Sequence, residues 1–123
     1  MVATYGNTSH FTCAEDEGAV IVTFLPRQLT DEDNIEQIGQ ALFALLEKDA
    51  QSRIILDLSQ LDFVTSSVLG KFITLHRRLH RQGGAMALCC LQPNVRETLR
   101  ASRLLEYFQT ADTVDAARAV LTV

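Results

Sequence analysis

RIILDLSQLDFVTSSVLGKFITLHRRLHRQGGAMALCCL, residues 53–91, is the stretch that decides the fold. Arg53–Leu58 (RIILDL) is short, apolar and β-branched, and Ala85–Leu91 (AMALCCL) is continuously apolar, the pattern of strands covered on both faces. Between them, Ser66 to about Arg81 places Leu69, Phe72, Ile73, Leu75 and Leu79 at helical spacing, and Gly83-Gly84 stops that helix. A strand, a helix and a second strand imply parallel pairing through a right-handed crossover. The class is α/β.

Working outward, His10 to Ala14 and Ala19 to Leu25 (AVIVTFL) read as a hairpin. Its turn is Glu15-Asp16-Glu17-Gly18, and Pro26 breaks the second strand. The hairpin makes the sheet mixed. Thr30 to Asp33 (TDED) is a helix start, with acids where the dipole favours them, and Ile35, Ile38, Leu42, Leu45 and Leu46 follow as one apolar stripe. Pro93 to Ser102 reads as a short helix, and Leu104 to Phe108 as cover for a sheet edge. Asp112 to Leu121 is a last helix, capped by Asp112 or Thr110, with Val114, Ala117, Val120 and Leu121 inward. The expected architecture is one domain over residues 1–123, with its core at about 10–121. It has a mixed four- to five-stranded sheet and about four helices.

Composition narrows the function. The 123 residues hold 11 Lys+Arg against 15 Asp+Glu, a net charge of −4 that is not the footprint of a nucleic-acid binder. Three cysteines, an odd number, fit a reducing compartment better than a disulfide framework. Met1 to His10 lacks a signal-peptide layout, and no apolar run is long enough to span a bilayer. A cytoplasmic protein without membrane insertion is expected.

Function in such sheets gathers beyond the carboxyl ends of the strands. Here that place is Ser59 to Ser67 (SQLDFVTSS), longer than a βα connection needs, with Leu61, Phe63 and Val64 expected to anchor it in the core. Thr65, Ser66 and Ser67 arrive as the next helix begins, where free backbone N–H groups stabilise an anion. A phosphoryl group on one of them would add about −1.5 to −2 charges. Plain helix capping is the competing explanation, but it needs only one hydroxyl.

From about Ala19 to Leu121 the chain resembles STAS domains of the anti-sigma factor antagonist (anti-anti-sigma factor) family. The resemblance lies in LEKD (Leu46 to Asp49), IILDLSQLDFVTSSVLG (Ile54 to Gly70) and GGAMALCCLQPNVRETLRASRLLEYF (Gly83 to Phe108). Within these fall Asp57-Leu58, Leu61-x-Phe63, Ser66-Ser67-x-Leu69-Gly70 and the Gly-Gly strand, in the family's order. The resemblance implies a phosphorylation switch. The acceptor falls on Ser66, with Thr65 and Ser67 as secondary candidates, and the partner surface on Asp31, Thr65, Ser66, Ser67, Val68 and Lys71. It further implies a GHKL-type serine kinase that doubles as anti-sigma factor, bound when Ser66 is free and released when it is phosphorylated. A PP2C-type phosphatase would reset the cycle. Three positions depart from the family pattern. Thr65 replaces an aspartate, Val68 replaces a small residue, and Gln28-Leu29-Thr30-Asp31 keeps only the acid of Gly-x-Leu-Asp.

Other residues carry less. Cys89 and Cys90, read as strand neighbours, would point to opposite faces and serve as core residues, and Cys13 likewise. His76 and His80 are spaced i, i+4 but lack a third ligand in sequence, so no metal is expected. Arg96, Arg100 and Arg103 make a basic stripe of the solvated kind. Without a G-x-S-x-G elbow, P-loop or GxGxxG, no catalysis and no cofactor are expected. Two readings compete with the switch. One is an adaptor without phosphorylation, such as a soluble subunit of a lipid-transport ABC system. The other is a nucleotide- or small-ligand-binding domain using the same helix start.

Overall fold

The computed structural model describes residues 3–5, 11–16, 18–29, 39–41, 43–44 and 53–121. Its strands are β1 (Ala3–Tyr5), β2 (Phe11–Asp16), β3 (Ala19–Phe24), β4 (Gln28–Leu29), β5 (Arg53–Asp57), β6 (Phe63–Val64), β7 (Ala85–Cys89) and β8 (Gln109–Ala111). Its helices are α1 (Ser66–Arg81), α2 (Pro93–Ala101) and α3 (Val114–Leu121). Six strands form one sheet in the order β1-β2-β3-β5-β7-β8, while β4 and β6 make a separate two-stranded pair. The β2–β3 hairpin is antiparallel, and β3, β5, β7 and β8 run parallel. The mixed α/β class read from the sequence holds.

The two sheet faces are packed differently, and strand alternation decides which residue goes where. Val20, Val22, Phe24, Ile54, Leu56, Met86 and Leu88 face the main core. There α1 contributes Val68, Leu69, Phe72, Leu75 and Leu79, and α2 contributes Val95 and Leu99. Ala19, Ile55, Ala87 and Cys89 face the other way, against Ala117 and Leu121 of α3. Small side chains on that face let α3 lie close to the sheet. Burial on both faces explains why Ile54, Ile55 and Leu56, all 0% exposed, carry no alternation.

Several local expectations are corrected. The polar N-terminus supplies an extra edge strand, because Ala3–Tyr5 pairs with Cys13–Glu15. Backbone pairing needs no apolar pattern, so composition gave no sign of it. The first strand of the hairpin, β2, runs on to Asp16 instead of ending at Ala14, leaving a tighter turn with Gly18 at φ 83. An unexpected last strand, Gln109–Ala111, follows the segment read as edge cover, whose Leu104 and Phe108 pack on the main core. The cap of α3 is Thr113, whose hydroxyl accepts from Ala116 N–H at 3.0 Å, instead of Asp112 or Thr110. Val120 on α3 is exposed.

The helix expected from Thr30 lies mostly outside the described residues. Residues 39–41 and 43–44 are helical. Ala41 and Phe43 pack against the main core, and the Arg78 guanidinium lies 4.5 Å over the Phe43 ring. Helix α1 ends as read: Gly83 has φ 84, and the N–H of Gly84 donates to Leu79 O at 2.8 Å. Arg78, His80 and Arg81 occupy its last turn, where the dipole favours positive charge.

Candidate functional site

The loop after β5 is held from three directions. At its start the Asp57 carboxylate accepts the N–H of Ser59 at 3.0 Å, and Leu58 N–H donates to Cys89 O at 3.1 Å. From the side, the Gln92 amide donates to Ser59 O at 2.6 Å, and Asn94 reaches Asp62 at 3.4 Å. Gln92 is the N-cap residue of α2, and with its side chain committed to the loop it makes no capping bond of its own. Across the loop, β4 pairs in parallel with β6, and Arg27 O accepts from Asp62 and Phe63 N–H. Leu61 and Val64 are buried as expected. Phe63 is not: the two-residue pairing turns Val64 inward and leaves Phe63 45% exposed.

Thr65 caps α1. Its backbone is extended, its side chain accepts Val68 N–H at 3.5 Å, and its carbonyl accepts Leu69 N–H at 3.2 Å. Ser66 is therefore the first helical residue, exposed and with no part in the cap, and Ser67 beside it is exposed too. Val68 differs from the expectation for it. At 2% exposure it is a core residue and offers no contact surface. Lys71 is half-buried and lies against Gly39, since a Cβ built on Gly39 would meet Lys71 Cδ at 3.0 Å. Asp31 lies outside the described residues.

The sequence reading missed two features of this surface. One is Phe63, whose outward face depends on pairing with β4. The other is Gly70, exposed on α1 one turn after Ser66, where a Cβ would meet nothing within 4 Å. The Ser66-Ser67-x-Leu69-Gly70 motif contained the signal for Gly70, but only the tertiary structure shows open space where its Cβ would stand.

Cys13 and Cys89 are buried in the core as expected, and only the placement of Cys90 differs from its reading. Strand β7 ends at Cys89, and Cys90 follows in the left-handed region at φ 60. The two side chains thus share a side instead of alternating, with sulfurs 3.6 Å apart. Cys13 is buried in β2, and burial pushes its thiol up to about 11. The His76 and His80 rings stack at 6.4 Å, and His76 also meets Tyr107 and Phe108 edge-on. Among the described residues the two histidines belong to no group of three metal-ligating side chains. In the basic stripe, Arg100 is paired with Glu97, and Arg96 lies 3.9 Å from Asp112.

Comparison with known proteins agrees with this geometry. Residues 14–117 match the family model of the STAS domain. The chain belongs to the STAS-domain family. It is 35% identical over 86 residues to a Bordetella bronchiseptica protein named as a candidate anti-sigma factor antagonist, BtrV, covering 70% of this chain and 73% of that one. Among solved structures, an anti-sigma-factor antagonist (STAS) domain protein of Planctomyces limnophilus superposes with a TM-score of 0.81 at 21% identity, covering 92% of this chain and 98% of that one. The anti-sigma factor antagonist SpoIIAA in its unphosphorylated form gives 0.75 at 24% identity, covering 92% and 97%. The phosphorylated form of SpoIIAA, from Bacillus, gives 0.67 at 24% identity, covering 89% and 98%. At these identities the solved structures establish the fold. No helix among the described residues is long and apolar enough to cross a membrane.

Proposed function

We propose that this STAS domain is an anti-sigma factor antagonist switched by phosphorylation of Ser66. One observation carries the reading: Ser66 is an exposed hydroxyl at the first position of α1, and Thr65 has taken over the capping role that would otherwise account for it. Kinship with a protein named as such an antagonist supplies the class of partner. From the family resemblance, we further take that partner, an anti-sigma factor, to be a GHKL-type serine kinase, with a PP2C-type phosphatase to reset the switch.

The surface fits reversible docking. Ser66, Ser67 and Gly70 form an exposed strip on α1, with Phe63 as an exposed apolar neighbour on the preceding strand. Gly70 weakens an exposed helix by roughly 0.5–1 kcal/mol relative to alanine. Among the described residues nothing requires its missing Cβ, and the flatness suits close approach from outside. Lys71 flanks the strip, and Asp31 belongs to the proposed surface from the family pattern.

The mechanism is electrostatic. Unphosphorylated, the strip is neutral at Ser66 and can be desolvated cheaply against a partner. A phosphate brings about −1.5 to −2 charges to the centre of that contact, and a penalty of about 3 kcal/mol weakens binding roughly 100-fold. On this side the free N–H groups at the start of α1 stabilise the dianion. The switch therefore needs no refolding.

The deciding experiment presents full-length chain, unphosphorylated and phosphorylated at Ser66, to host lysate. A serine kinase retained only by the unphosphorylated bait, and labelling Ser66 with ATP, is the expected result. Equal retention by both baits, or capture of transporter subunits, would replace the switch with a constitutive adaptor.

A further inference from the structure

From the carboxyl ends of two parallel strands, we infer that Asp57, Cys89 and Cys90 form a site for a thiophilic divalent cation of the zinc and cadmium class. One ligand atom from each residue lies within 4.8 Å of the others. Asp57 and Cys89 are register partners on β5 and β7. Regular strand geometry would send the next side chain to the opposite face. Cys90 instead adopts φ 60, a conformation unusual for a residue with a Cβ, and so returns its sulfur to the same side.

The spacing suits a metal better than a disulfide. Two thiolates at about 2.3 Å on a tetrahedral zinc stand about 3.8 Å from each other. The observed Sγ–Sγ separation is 3.6 Å, whereas a covalent bond requires about 2.0 Å and, between adjacent residues, a strained ring. Two sulfurs and one carboxylate oxygen are a soft donor set that excludes magnesium and calcium. They leave a fourth position to solvent.

The surroundings are compatible with the ion. Asp57 and Cys90 are half-buried, which gives a path from solvent, while Cys89 is fully buried. The Ser59 N–H already orients the Asp57 carboxylate at 3.0 Å, the kind of supporting bond that fixes a ligand. Binding forms two metal–sulfur bonds and releases the two thiol protons to solvent. The inference does not depend on Ser66 or on its modification.

The test titrates cadmium chloride, and zinc chloride in competition with a chelator, into reduced, metal-free full-length protein. We expect one ion per chain, a thiolate-to-cadmium charge-transfer band and release of two protons. Asp57→Asn and Cys90→Ser should each weaken binding by about tenfold or more, with circular dichroism confirming that both variants fold. Cys13→Ser should bind as the wild type does. Absence of the band in the folded wild type overturns the site. So does a band that survives both Asp57→Asn and Cys90→Ser. A Cys89–Cys90 peptide that stays two hydrogens lighter after the protein has been treated with reductant would also overturn it, in favour of an oxidised pair.

Discussion

Thr65, Ser66 and Ser67 are chemically similar, and the chain start of α1 gives each a different job. Thr65 is half-buried and its oxygen holds a backbone N–H, so Thr65→Ala should cost about 0.5–2 kcal/mol. The 3.5 Å length of that bond places the value toward the lower end. Ser66→Ala touches no cap and should stay within about ±0.5 kcal/mol. Urea midpoints of the two variants check this. A larger loss at Ser66 than at Thr65 would return the capping role to Ser66 and remove the main support for the switch. Three hydroxyls at a helix start were legible in the sequence. Their division of labour was not, since it depends on which residue takes the extended conformation before the first turn.

At the scale of elements, α1 and the loop before it behave as a braced platform. Gly70 lies in the helix interior and exposed, with its carbonyl also accepting the Thr74 hydroxyl at 3.0 Å. Gly70→Ala should raise stability by about 0.5–1 kcal/mol. Gly70→Gln should fold as well as the wild type yet bind the proposed partner more weakly, because a long side chain would stand between the surfaces. Thermal melts beside a binding titration separate the two effects; an unchanged affinity for Gly70→Gln would show that the flat strip is not contacted. The brace itself is Gln92, reaching from the start of α2 to Ser59 O at 2.6 Å. Gln92→Ala should cost roughly 1 kcal/mol and speed amide exchange in residues 59–65. Unchanged exchange there would show that the β4–β6 pairing alone holds the loop. The helix lengths could be read from periodicity, whereas the brace joins residues 33 apart in sequence and has no local signature.

Over the whole molecule, α1 and α2 pack a large apolar core on one face of the sheet and α3 a smaller, alanine-rich one on the other, and pH acts on the first. His76 lies beside Tyr107 and Phe108 with Nδ1 buried and unpaired. Burial, and secondarily the charge of nearby His80, holds its pKa below the ordinary imidazole value. The unfolded chain therefore binds this proton more readily. The contribution is fully present above about pH 6.5 and is lost as pH falls through the lowered folded value. Urea midpoints at about pH 7.5 and about pH 5.5 should differ more for the wild type than for His76→Asn, which cannot take up that proton. Equal differences would mean that His76 does not report on folding.

The sequence by itself determined the α/β class, the hairpin, the crossover, the capped helix with its three hydroxyls and the family resemblance. These follow from local propensity and from short periodic patterns that repeat every two or 3.6 residues. Tertiary structure alone decided that Ala3–Tyr5 joins the sheet, that Val68 is inside and Phe63 outside, and that Cys90 turns its sulfur back toward Cys89 and Asp57. Each of these is set by backbone pairing or by the end of a strand against a distant neighbour. Partners remote in sequence leave no period in the chain from which their contact could be read.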